Sequence, residues 1–289
     1  MRSTLPLASA RYVGGAALVT VAFIGLYLFF VASLTGQSAD QLSYDGAEFG
    51  RRSVTPFTRG LLDLVPTVSV IVALVVTGVI SLIRRNWRTL LIALGAAAAA
   101  VISAQLLKYG ILNRPDLGVL GYAGNSFPSG HTTVAAAAAL VVFLVAGPRL
   151  RPLMAVAGTA FAVLAGVATL ANQWHRPSDV IASLLVVAFW GCVGGAILTW
   201  PRRDGSTGAA AVVETTRVRL PEASTVVRLL RVLLVPFAAL AVLAFAATFL
   251  GEFGASVDLL VAYLGGVTAI VTTGLILALT GIRMFSRLP

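Results

Sequence analysis

Long apolar runs alternate along the chain with short segments that hold nearly all of its charge. A helix needs about 17–25 apolar residues to cross roughly 30 Å of hydrocarbon. By that measure the pattern predicts eight spans, at 12–34, 66–83, 89–107, 132–147, 153–170, 180–199, 232–250 and 258–281. The fourth is short and leans on its flanks. Runs of this length must be helical, because a segment in lipid satisfies its backbone hydrogen bonds internally. The expected fold is therefore all-α, a polytopic transmembrane helix bundle with a six-helix core and two further C-terminal transmembrane helices.

Composition agrees. The 289 residues are 58% hydrophobic and only 11% charged, against about 25% charged for a soluble domain. The net charge of +10 raises the question of nucleic acid. Its arginines, however, sit in short loops between apolar runs, the pattern that orients a membrane protein, so no nucleic-acid partner is expected. Arg2, Arg11, Arg84, Arg85, Arg88, Arg149, Arg151, Arg202, Arg203, Arg283 and Arg287 all fall on one side of an eight-span chain. That side is expected to be cytoplasmic and to hold both termini. The other side carries Glu252, Asp258 and a mixed first loop with Asp40, Asp45, Glu48, Arg51, Arg52 and Arg59. A Gly-, Ser- and Thr-containing stretch divides the chain into a six-span unit (1–200), a cytoplasmic linker (201–231) and a two-span hairpin (232–289). Cys192 is the one cysteine, so no internal disulfide forms. Gly191 and Gly195 are spaced for close helix packing.

The chemistry concentrates in two loops. One runs from Lys108 through Arg114 and Pro115 to Asn125 and on to Pro128, Ser129, Gly130 and His131. The other holds Asn172, His175, Arg176, Pro177 and Asp179. Each follows an odd-numbered span, so the two share a face, expected to be extracytoplasmic. Lys108, Arg114 and Arg176 then run against the orienting trend, and an anionic ligand explains them. Ser129 suits the cap of the fourth helix and Pro177 the first turn of the sixth. Both histidines then lie at helix N-termini, where free N–H groups and the dipole attract anions. His175 and Asp179 are four apart, so the carboxylate can reach the imidazole across one helical turn. With lysine and arginine around the histidines, no metal site is expected.

These motifs, Lys108 with Arg114-Pro115, then Pro128-Ser129-Gly130-His131, then His175 with Asp179, resemble the three signatures of the type 2 phosphatidic acid phosphatase family over residues of roughly 60–200. The resemblance implies a six-helix phosphatase-like core and a metal- and cofactor-independent lipid-phosphate phosphatase of the cell membrane. By it, His175 is the nucleophile and Asp179 orients it. His131 protonates the leaving oxygen and then activates water. Lys108, Arg114, Ser129 and Gly130 hold the phosphoryl oxygens. Two positions depart from the pattern. Five residues rather than six separate Lys108 from Arg114, and Ala168 and Thr169 stand where the third motif has Ser-Arg. Arg176 is expected to supply the missing cation. The expected substrate is a polyprenyl phosphate or diphosphate, or a glycerophospholipid phosphate, met among membrane lipids. A lipid-linked phosphotransferase, or a non-catalytic lipid-phosphate binder or transporter, is the alternative.

Overall fold

The computed structural model describes residues 7–121, 124–200, 221–250 and 259–286. Nine α-helices follow one another among these residues: α1 (Leu7–Phe30), α2 (Leu34–Gly46), α3 (Glu48–Arg84), α4 (Trp87–Leu106), α5 (Gly130–Val145), α6 (Arg151–Ala171), α7 (Pro177–Thr199), α8 (Pro221–Leu250) and α9 (Leu259–Phe285). A π-helical turn, Leu107–Ile111, extends α4. Side-chain caps set several starts. Ser33 accepts the Gly36 N–H at 3.1 Å, and Asn86 accepts that of Thr89 at 3.2 Å. The all-α polytopic expectation holds: seven of the described helices are long and apolar enough to span a membrane.

Two expectations need correction. The fourth span is helix α5, only 16 residues, or about 24 Å at 1.5 Å per residue. It sits inside the bundle, with most of its residues buried. The first loop is not a loop. It forms α2 and the opening turns of α3, which runs for 37 residues. The segment 201–220, the Glu252 and Asp258 loop, and Arg2, Arg202, Arg203 and Arg287 lie outside the described residues.

The largest apolar cluster joins Tyr12 of α1, Leu144 of α5 and Leu279 and Phe285 of α9. Phe285 meets Tyr12 edge-on at 5.0 Å, and Phe143 at 5.2 Å between ring centroids. Arg151, buried at the start of α6, donates to the carbonyls of Ala146 and Phe285, both at 2.9 Å. It thereby satisfies orphan carbonyls at the ends of α5 and α9. Helix α9 is thus part of the core, not an appendage. Glycines allow the tightest approaches: a Cβ on Gly195 would lie 2.4 Å from the Tyr12 ring, and one on Gly166 2.4 Å from Val180.

Candidate active site

The turn between α6 and α7 carries His175. After the last turn of α6 the chain reverses at Gln173, whose φ of 56° is left-handed. The Thr169 carbonyl accepts the N–H groups of Trp174 at 2.9 Å and His175 at 3.4 Å. Pro177 then opens α7, as its fixed φ favours, and puts Asp179 at the third helical position. The Asp179 side chain is fully buried and fully engaged. Its Oδ2 lies 3.3 Å from His175 Nδ1 and accepts the Arg176 N–H at 3.0 Å and the Ser126 hydroxyl at 2.6 Å. Its Oδ1 lies 3.4 Å from Arg114 Nη2. Asp179 therefore caps its own helix and meets the imidazole with one carboxylate. Because Nδ1 faces Asp179, Nε2 of His175 is the ring nitrogen directed elsewhere.

The second loop is stitched to the same place. Asn125 donates to the carbonyls of Lys108 at 2.9 Å and Leu112 at 2.8 Å, bracing the loop against the end of α4. Ser129 caps α5, accepting the Thr132 N–H at 3.4 Å, and its own N–H donates to the Asp179 carbonyl at 3.0 Å. The Ser183 hydroxyl donates to the Ser129 carbonyl at 2.7 Å. These bonds hold the N-termini of α5 and α7 side by side. His131, in the first turn of α5, packs on Trp174 with ring centroids 5.3 Å apart. Two histidines thus stand at adjacent helix N-termini, where backbone N–H groups point at any anion placed between them.

The cations are distributed unevenly. Arg176 is buried; its Nε donates to Gln41 Oε1 at 3.0 Å and its Nη1 to Ser126 at 3.2 Å, and the guanidinium lies 5.4 Å from the Tyr44 ring centroid. Ser126 therefore links Arg176 to Asp179. Arg114 Nη2 lies between two carboxylates, 3.4 Å from Asp40 and 3.4 Å from Asp179. Among the described residues, no hydrogen bond or ion pair joins the Lys108 side chain to this network; its ammonium lies 5.5 Å from the Tyr109 ring centroid. Lys108 sits in the π-helical turn, a widened turn common at functional sites, and that turn falls where the first motif is one residue short. Thr169, where the family has arginine, is fully buried, with its hydroxyl on the Gly166 carbonyl at 2.7 Å.

The sequence pattern does not assign Asp40, Gln41, Tyr44, Ser126 or Ser178 to the site. Asp40 of α2 accepts the Ser178 N–H at 3.0 Å and the Ser178 hydroxyl at 2.5 Å, and it also faces Arg114. Burial raises the Asp40 carboxyl to about 6, outweighing the opposite pull of Arg114. Its one signal in the sequence is an acidic side chain in a segment that reads as a loop. No group of three or more His, Cys, Asp or Glu side chains among the described residues is arranged to hold a metal ion.

Comparison with known proteins bears on this geometry. The family model of the PAP2 superfamily matches residues 89–203, a segment that contains both histidine loops. Residues 89–203 are a PAP2-superfamily unit. This is the family that the three motifs resemble. Over 113 residues, 38% of its length, the chain is 36% identical to lipid A 1-phosphatase of Porphyromonas gingivalis. The aligned part is 24% of that relative's length, so the chain matches only about a quarter of it. No solved structure matches the chain significantly.

Proposed function

We propose that this PAP2-superfamily protein is a membrane lipid-phosphate phosphatase working through a phosphohistidine on His175. The observation that carries the reading is the approach of His175 Nδ1 to buried Asp179 at 3.3 Å, beside the His131-bearing N-terminus of α5. With Nδ1–H held by the carboxylate, Nε2 keeps its lone pair for attack on phosphorus. In the first step the Nε2–P bond forms and the P–O bond to the lipid breaks, while His131 gives its proton to the departing oxygen. In the second, His131 takes a proton from water, the hydroxide attacks phosphorus, and the P–N bond breaks to release inorganic phosphate. Lys108, Arg114, Arg176, Ser129 and the Gly130 N–H are the groups that hold phosphoryl oxygens. Charge developing on those oxygens is where most stabilisation arises. Arg114 also braces Asp179 from behind.

The substrate is a lipid phosphomonoester or diphosphate, in the class of polyprenyl phosphates, glycerophospholipid phosphates and the phosphorylated lipid named in the relative. By the charge distribution, both termini are cytoplasmic and the site opens on the extracytoplasmic side of the cell membrane. The domains we propose are a six-span unit over 1–200 and a C-terminal two-helix hairpin, with the expected 201–231 linker shortened because α8 already begins at Pro221. Phosphate release from a panel of lipid phosphates in nanodiscs, in excess chelator, tests the function. Turnover that persists with chelator and vanishes in His175→Ala and Asp179→Ala supports it. Turnover that needs an added divalent cation, or no release from any lipid phosphate, contradicts it.

A further inference from the structure

Helix α2 lies outside the PAP2-superfamily segment, yet it grips the α6–α7 turn at three places. The Tyr44 hydroxyl donates to the Gln173 carbonyl, and Gln173 Nε2 donates to the Tyr44 carbonyl at 3.2 Å. Gln41 accepts Arg176 Nε, and Asp40 accepts both donors of Ser178. A left-handed conformation is costly for a residue with a side chain, and these bonds hold Gln173 in it. From Ser178 the chain passes directly to Asp179. The Asp179 carboxylate meets Arg114, and Arg114 returns to Asp40. Asp40, Ser178, Asp179 and Arg114 thus form a closed ring, with one side of it covalent.

An asparagine would cap Ser178 without a buried charge. Asp40 is instead a carboxylate with 2% exposure, an arrangement that is costly unless paired. We propose that Asp40 is a positioning residue for the His175–Asp179 pair, fixing Arg114 behind Asp179 and the first turn of α7 against α2. It acts through Arg114 and Ser178 rather than on the phosphoryl group. The proposal rests on the phosphatase reading above. Misplacing reacting groups by about 1 Å costs about 100-fold in rate, so loosening this ring should be read in turnover.

The test compares the wild type, Asp40→Asn, Ser178→Ala and the double variant in nanodiscs, on the lipid phosphate that the wild type turns over fastest. Turnover is expressed per folded molecule, with a thermal melt for each protein. Asp40→Asn is expected to lower kcat about 10- to 100-fold, with KM within about threefold and a melt no lower than the wild type. Ser178→Ala should cost about 3- to 10-fold, and the double variant less than the product of the two, because the residues share one ring. Wild-type kcat in Asp40→Asn, or a loss that matches its unfolded fraction, overturns the proposal. If Asp40→Asn does not fold, Ser178→Ala decides: lowered kcat at unchanged KM supports the proposal, and wild-type kcat overturns it. A wild-type protein that neither turns over nor labels on histidine overturns the phosphatase reading itself, which is distinct from an active wild type indifferent to Asp40.

Discussion

Arg176 follows the nucleophile candidate directly, and its guanidinium is held by Gln41, Ser126 and the face of Tyr44. Removing a charge-assisted hydrogen bond from a desolvated transition state costs about 2.7–4 kcal/mol. Arg176→Ala should therefore reduce kcat roughly 100- to 1,000-fold, and Arg176→Lys should recover little, since lysine lacks the planar fork. A loss under about fivefold, read per folded molecule, would leave the guanidinium a structural strut. Thr169→Arg is expected not to rescue it, because that site is a buried hydroxyl bonded to the Gly166 carbonyl. Asp40 makes a separate prediction. Burial, opposed by Arg114 and reinforced by the Asp179 carboxylate, raises its carboxyl from 3.8 to about 6, so the folded protein holds the proton more tightly than the unfolded chain. Its contribution is full below about pH 4 and is lost as pH rises through about 6, up to about 3 kcal/mol in total. Melts of the wild type should fall over that window relative to those of Asp40→Asn, and parallel curves would contradict the assignment. Residue spacing made the His175–Asp179 pair legible, because four positions on a helix start put the two groups on one face. It did not show Arg114 between Asp40 and Asp179, partners 74 and 65 positions away.

Among the elements, α2 was the one hidden from the hydrophobic pattern. Its buried positions include Gln37, Asp40, Gln41 and Ser43. Of these, Gln37, Asp40 and Gln41 turn inward onto polar groups: the Val31 and Pro115 carbonyls, Ser178 and Arg176. A rule that looks for apolar residues on the inner face therefore reads the segment as a loop. The spans were legible because lipid demands long apolar helices, and the caps at Ser129 and Pro177 because helix starts have strong residue preferences. Helix α9 reaches the site through Gly266, where a Cβ would lie 2.2 Å from Ser43 Oγ and 2.6 Å from Pro177 Cγ. Gly266→Ala should thus push α2 and the start of α7 apart, costing about 1–3 kcal/mol as overpacking does. A melt and a kcat measurement check this; a variant normal in both would mean that α9 does not set the position of Pro177.

For the whole molecule, packing joins α9 to the site, and the orientation proposed from the charge distribution is open to direct test. The loop arginines tie helices together where they are described. Arg84 donates to the Val145 carbonyl and Arg88 to that of Ile197, both at 3.0 Å. Orientation is checked with an impermeant thiol reagent in a Cys192→Ala background. Leu120→Cys, at a position 91% exposed in the loop before α5, should label on intact cells, whereas Arg149→Cys should label only after permeabilisation. The reverse pattern would put the site on the cytoplasmic side. The proposed mechanism requires one covalent intermediate, and trapping it is the most direct measurement. Quenching the protein during turnover of a radiolabelled lipid phosphate should leave acid-labile label on His175. That label should be absent in His175→Ala and longer-lived in His131→Ala, where the water-activating group is gone. Turnover that continues in His175→Ala, or proceeds in the wild type with no label on histidine, would contradict the account.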